Sequence, residues 1–443
     1  MLKKMNGGEF IMNRKRRVTI ALASAFLIST VNGALNVNAA GKGDVNADGK
    51  FDSSDIVWFA RYMLGEKIDP VNLSEADING DGRVNISDYI LAKSSLLGEP
   101  SSEIRTDIHL EDNGIIVDGS NASVTDSKTV IINASGSYYI DGKLSDGQIC
   151  VDIPDQTADP GTVKLFFNGV DITGVSEAPV YIKNAENTSV NLVSGTENYL
   201  YDGQTYTDTT AVIYAKDDLT IKGEGKLEIH AGTQYGIHCN NDLKINGANI
   251  LVATDTEDAI RGKSSVCVKS GTVTVDSKGD GIKSTKGNVD ISGGTVIIKA
   301  GNDAIQAETT VNISDGKVSA CGDKGLTSLE GVNITGGSVL ATATDEQCQT
   351  LKETGNGVIL LEYTEELSKN NSVSFVKSDI VSVFEMNTLK KFKYVLAAGS
   401  ELAPDSGYSL YTGGKLMTSS TGNVFTAGTP SSYTGVSSAS DNI

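Results

Sequence analysis

The chain has 443 residues, with 37 Lys+Arg against 56 Asp+Glu and a formal net charge of −19. An acidic balance of that size excludes nucleic acid and anionic membrane surfaces as general partners, since both need a Lys/Arg excess. Gly is high at 48 while Pro is 7 and aromatics 6%, which points to many turns and away from a helical bundle.

Residues 1–40 read as an export signal. Arg14-Lys15-Arg16-Arg17 is a basic start, Val18–Val31 an apolar run, and Val37-Asn38-Ala39-Ala40 a small-residue cleavage site. The run is too short for a membrane span, so a secreted, extracellular protein is expected, with no membrane partner. Gly7-Gly8-Glu9 is what a ribosome-binding stretch would encode, and Met12 is the expected start. Removing the six basic groups and one acid of this segment leaves a mature charge of −24. The five cysteines, Cys150, Cys239, Cys267, Cys321 and Cys348, lack CxxC spacing, which argues against a metal or redox motif. A single disulfide is not readable from their positions.

Residues 41–98 hold two twelve-residue loops. The first supplies Asp44, Asn46, Asp48, Lys50, Asp52 and Asp55, the second Asp77, Asn79, Asp81, Arg83, Asn85 and Asp88. Oxygen side chains fall at positions 1, 3, 5, 9 and 12, Gly49 and Gly82 at position 6, and position 7 (Lys50, Arg83) offers a backbone carbonyl. Ca²⁺ takes six to eight hard oxygens around such a turn, so two calcium ions are expected. Helices are predicted over Ser53–Leu64 and Ser87–Leu97, one after each loop. Neither loop has an incoming helix. The pattern resembles a type I dockerin, the module that plugs a protein into a cohesin of a cellulosome-like scaffold. The resemblance implies a cohesin partner read by Ser53, Ser54 and Arg61 in one half and Ile86, Ser87 and Lys93 in the other. Residues 99–104 read as a linker.

From 105 a repeat dominates. Ile213, Ile237, Ile260, Ile282, Ile305 and Leu326 align at steps of 21–24 residues, and Ile221, Ile245, Val268, Ile291, Ile313 and Ile334 follow in step. A third column runs Leu227, Ile250, Val273, Val296, Val318, Val339. Three short strands per repeat of this length predict a mainly β fold, a right-handed parallel β-helix of about eight to ten coils. It is expected over 105–345 and follows the small all-α calcium module. Strands near Val373, Val381, Phe392 and Tyr408 are expected to form a C-terminal β cap over 346–428, and 429–443 a disordered tail.

The polar columns carry the chemistry. Two residues before the first column stand Asp258, Asp280 and Asp303, with Asn302 and Asp323 nearby. Carboxylates stacked at a coil spacing of ~4.8 Å repel. One remedy is a raised pKa, the other a bridging cation, and Ca²⁺ at these five residues is the favoured one, over a solvated row of turn residues. Beside them runs an outward ladder: Tyr214, His238, Arg261, Lys283, Gln306, Thr327. Tyr214, His238, Arg261 and Lys283 are candidate carbohydrate contacts, the cations suiting an acidic polysaccharide; the competing reading is an ordinary solvated ladder. Tyr199, Tyr201 and Tyr206 are expected to cap the first coils rather than stack on sugars.

The register and the phrases Asp217-Asp218-Leu219-Thr220-Ile221, Gly279-Asp280-Gly281-Ile282 and Asn302-Asp303-Ala304-Ile305 resemble a secreted carbohydrate-binding β-helix family. Its fold is similar to that of pectate lyases, and it coordinates calcium by acidic residues. The resemblance implies binding to plant cell-wall polysaccharide, polygalacturonate/pectin or cellulose, without established hydrolysis. The alternatives are a calcium-dependent pectate lyase, with Arg261, Asp258 and Asp280 as its catalytic residues, and a glycoside hydrolase using a pair from the Asp ladder.

Overall fold

The computed structural model describes residues 43–68, 72–78, 83–97, 105–175, 177–203, 209–346, 351–355, 357–369, 372–377, 381–402, 408–412, 415–420, 424–425 and 437–439. The export segment 1–40 with Met12, the linker 99–104, Tyr206 and Cys348 lie outside them. Two compact units divide the chain, one up to Arg105 and one from Thr106.

The first unit has three helices: α1 Ser53–Met63, α2 Leu73–Ala76 and α3 Ile86–Leu97. Helix α1 opens with a capping box. Ser54 N donates to Asp52, and Asp52 N donates to Asp55. It closes in a Schellman turn: Gly65 takes φ +73°, Glu66 N reaches Arg61 O and Gly65 N reaches Tyr62 O. The one-turn α2 was not expected; four residues are too few to show a helical period. Val45, Phe51, Ile56, Phe59, Ala76 and Ala92 form the core, with the Tyr89 ring edge-on to Phe59 at 5.9 Å.

The second unit is a β-solenoid of about 9 turns. Its start differs from the expectation. Arg105–Leu110 pairs antiparallel with Ile116–Asp118, and Ala122–Thr125 with Thr129–Ile132. Parallel stacking is in place where Thr129–Ile132 meets Gln148–Asp152, and Arg105–Leu110 also pairs with Gly136–Leu144. The antiparallel strands flank the edge of the opening coil.

From there three faces build up in register. The first face carries Ile149, Val180, Ile213, Ile237, Ile260, Ile282, Ile305 and Leu326 as direct partners. The second carries Ile221, Ile245, Val268, Ile291, Ile313 and Ile334. The third carries Leu227, Ile250, Val273, Val296, Val318 and Val339. All are buried in one continuous cluster. Two steps on this face exceed the 21–24-residue period: Ile149 pairs with Val180 and Val180 with Ile213. The corner between second and third faces requires glycine. Gly223 has φ +107°, and a Cβ there would stand 2.2 Å from Leu192 O.

The far end also extends the expectation. Leu351–Thr354 still stacks in parallel on Gly331–Ile334, so the solenoid runs past 345. Phe392–Gly399 then pairs antiparallel with both Ser338–Glu346 and Gly357–Leu367, closing the third face. Beside it Val381–Asn387, Ser372–Lys377, Tyr408–Thr412 and Lys415–Ser420 form an antiparallel sheet. Its core includes Leu340, Tyr363, Val373, Phe384 and Phe392. Lys390 Nζ fastens this end to a coil corner through Ala300 O, Gly301 O and Asp323 Oδ1. Within the expected tail, Ser437–Ala439 pairs in parallel with Leu361–Tyr363; backbone pairing there needs no apolar period.

Candidate functional site

In the first calcium loop the chain bends through Ala47 (φ 56°) and Gly49 (φ 85°). The Asp44 carboxylate accepts from Asp48 N and Gly49 N, and Asp48 from Lys50 N. Asp55 is fully buried. It accepts from Asn46 N at 3.1 Å and Asp52 N at 2.8 Å, and burial pushes its pKa up. A carboxylate in that setting fits a cation. Asp52 is engaged otherwise: its oxygen caps α1 through Ser54 N and Oγ, and that bonding holds its pKa down.

The second loop repeats the device. Asp88, fully buried, accepts from Ile78 N at 2.9 Å and Asn85 N at 3.0 Å. Asn79 and Asp81 lie outside the described residues, as do the side chains of Ile86 and Ser87. Of the docking candidates, Ser53 and Arg61 are exposed and Lys93 is half-buried. Ser54 is tied into the loop by Asn46 Nδ2 at 2.9 Å. Arg61 pairs with Glu66 and lies 5.9 Å from the Trp58 ring centre.

The second unit concentrates its chemistry on the outside of the first face. Alternation along each strand turns the residue after the inward Ile outward, and parallel register stacks these residues into a row. Tyr181, Tyr214 and His238 follow one another with ring centres 5.6 and 5.4 Å apart. Arg261, Lys283, Gln306 and Thr327 continue the row. A second column stands three residues before this row, two before the inward Ile. It runs Ala211, Tyr235, Asp258, Asp280, Asp303, Lys324, so Tyr235 takes the place an aspartate holds in the next three coils.

The two columns are cross-linked. Asp258 Oδ1 accepts the N–H of Asp280 at 2.8 Å, and Asp280 Oδ1 that of Asp303 at 3.0 Å. The other oxygen of each meets a side chain of the outward row: Asp258 pairs with Arg261 at 3.1 Å, Asp280 with Lys283, and Asp303 with Gln306 of its own coil and Thr327 of the next. Arg261 also donates to the Tyr235 hydroxyl at 3.1 Å and sits 4.9 Å from its ring centre. Its Nε is buried without a partner. Asp258 and Asp303 are raised by burial. His238 is pushed down to about 4 by burial and by the Arg261 charge, so it is neutral at pH 7. Its Nδ1 lies 2.7 Å from Thr210 Oγ1.

The stacked carboxylates are thus relieved within the protein, by backbone N–H groups on one side and cations or amides on the other. Among the described residues no three acidic, histidine or cysteine side chains gather for a metal. Asn302 does not join the ladder, and Asp323 faces Lys390 at 2.6 Å and Thr344.

Lysines flank the face where the strands end. Asn240 stacks on Lys216 and Lys263 on Asn240, Thr285 follows in that column, and Lys286 lies one residue on, its N bonded to Lys263 O. Lys216, Lys263 and Lys286 form no ion pair among the described residues. Tyr181, Tyr235 and these lysines were missed in the sequence, although alternation about Val180 would have placed Tyr181 outward; Tyr235 stands two residues before Ile237, where alternation gives no outward signal. Tyr199 and Tyr201 do not cap the first coils. They face outward on the third face, their rings 6.4 Å apart, with His230 stacked 5.4 Å from Tyr201. Cys150, Cys239, Cys267 and Cys321 are free.

Residues 126–360 match the family described as carbohydrate-binding domain-containing protein. The chain belongs to that family. A carbohydrate-binding domain-containing protein of Acetivibrio thermocellus is 35% identical over 253 residues, covering 49% of this chain and 86% of the relative. The solved polysaccharide lyase-like protein from C. thermocellum, a gadolinium derivative, is 33% identical. It covers 52% of this chain and 94% of that one, with a TM-score of 0.47. Residues 42–97 match the type I dockerin domain. A dockerin of this type implies a cohesin partner of cellulosome type and calcium binding, and the family implies a polysaccharide ligand. Proteins with such dockerins are typically extracellular cellulosome components.

Proposed function

We propose that this chain is a secreted, non-catalytic component that a scaffold cohesin holds through the dockerin, while the first face of the β-helix binds acidic plant cell-wall polysaccharide. Polygalacturonate is the model ligand. The observation that carries this reading is the row Tyr181, Tyr214, His238, Arg261, Lys283 flanked by Lys216, Lys263 and Lys286. It concentrates cations and rings on one face of a chain whose net charge is −19. Rings offer apolar area to the faces of sugars. The lysines attract uronate carboxylates against the field of the whole chain. Coils repeat at ~4.8 Å, close to the advance per sugar of an extended pyranose chain, so each coil can meet one sugar.

Two calcium ions belong to the dockerin in this reading. Further calcium at Asp258, Asp280 and Asp303, with Asn302 and Asp323, is part of the proposal, and an ion there competes with Arg261 and Lys283. A lyase role asks Arg261 to take a proton. Its guanidinium already donates to Asp258 and to the Tyr235 hydroxyl, which supports binding over catalysis. Arg261→Ala separates the readings. Binding to polygalacturonate is expected to weaken about 5- to 10-fold, or ~1–1.4 kcal/mol, with no unsaturated product from either protein. Unsaturated product from the wild type that vanishes in the variant identifies a lyase instead.

A further inference from the structure

The three-aspartate ladder stops at the C-terminal end of the first face. Asp258 and Asp280 each pass an oxygen to the aspartate N–H of the next coil, but the partner of Asp303 in that coil is Lys324. In place of a cation, Asp303 Oδ2 takes Gln306 Nε2 at 3.1 Å and Thr327 Oγ1 at 2.7 Å. The surface opens there into a cleft of about 310 Å³, lined among others by Lys283, Asp303, Gln306, Lys324, Thr327 and Leu329. The volume is at the lower end of small-ligand sites, roughly 300–1,000 Å³. Leu329 is 74% exposed on its rim, and Asp303 is 9% exposed in its wall.

We infer that this cleft is a further sugar subsite, which takes one pyranose unit of the bound polysaccharide through its hydroxyl groups. The inference deepens the proposed function and rests on it. Gln306 and Thr327 stand one and two coils beyond Lys283 in the outward row, so a chain lying along Tyr214, His238, Arg261 and Lys283 continues into the cleft. The lining mixes lysine donors, a carboxylate acceptor and an amide that is both. An anion meets the Asp303 carboxylate there and a cation meets Lys283 and Lys324. Hydroxyl groups both donate and accept, and so suit all of them. The Leu329 side chain offers apolar cover to a ring face, which a solvent-exposed leucine otherwise lacks.

The test uses the full chain and hexagalacturonate, with affinity read by calorimetry. Gln306→Ala and Leu329→Ser each change a side chain outside the solenoid core, and each is expected to lower affinity about 5- to 10-fold with an unaltered melting curve. Wild-type affinity in both variants, beside a loss in Tyr214→Ala, overturns the subsite and leaves the binding face standing. Absence of hexagalacturonate binding by the wild type overturns the subsite together with the proposed function.

Discussion

Chelating calcium is expected to unfold the dockerin and release its cohesin while the β-helix keeps its structure. Asp55 and Asp88 are buried carboxylates that accept from loop N–H groups. Asp44 and Asp48 crowd the same first loop. Without the ion, that concentration of negative charge opposes the turn that Ala47 and Gly49 make. Ligand linkage sets the scale: at calcium 1,000-fold above its dissociation constant, one site contributes about 4 kcal/mol. That is comparable with the whole stability of so small a core. Trp58 is the single tryptophan of the chain and sits in α1, so its emission reports this unit alone. A red shift on chelation, reversed by calcium, with unchanged β-sheet ellipticity is the expected result. Unchanged Trp58 emission contradicts it.

Ile260→Ala is expected to cost about 2–5 kcal/mol. Ile260 is fully buried and stacks between Ile237 and Ile282 on the first face. Neighbouring coils cannot collapse into the cavity, because the ladder hydrogen bonds on both sides fix their spacing. In a solenoid each coil interacts with its neighbours alone, so the loss weakens two interfaces together. Denaturant unfolding of the second unit measures it, and a change under about 1 kcal/mol would show that the column is not a rigid stack.

The inward columns were legible because a step of 21–24 residues puts Ile or Val at three fixed places per coil, and only a solenoid keeps that register. The steps from Ile149 to Val180 and from Val180 to Ile213 exceed that period, since a long corner breaks the period without breaking the pairing. The ends carry no period to read, because antiparallel closing strands such as Ile116–Asp118 and Phe392–Gly399 carry the same apolar alternation as coil strands. The Asp258–Asp280–Asp303 ladder was visible as a column, yet its bonding was not. Which oxygen meets the next N–H and which meets Arg261 or Lys283 depends on the corner geometry. Tyr235 gave no sequence signal of its own, yet it stands where the next three coils carry aspartate and seats the Arg261 guanidinium.

The most direct test of the binding face is native electrophoresis of the mature protein in a gel cast with polygalacturonate and calcium, stained afterwards for the polymer. Retardation without a cleared zone is the predicted result. A cleared zone makes the protein an enzyme, and mobility equal to that in a polymer-free gel removes acidic polysaccharide as its ligand.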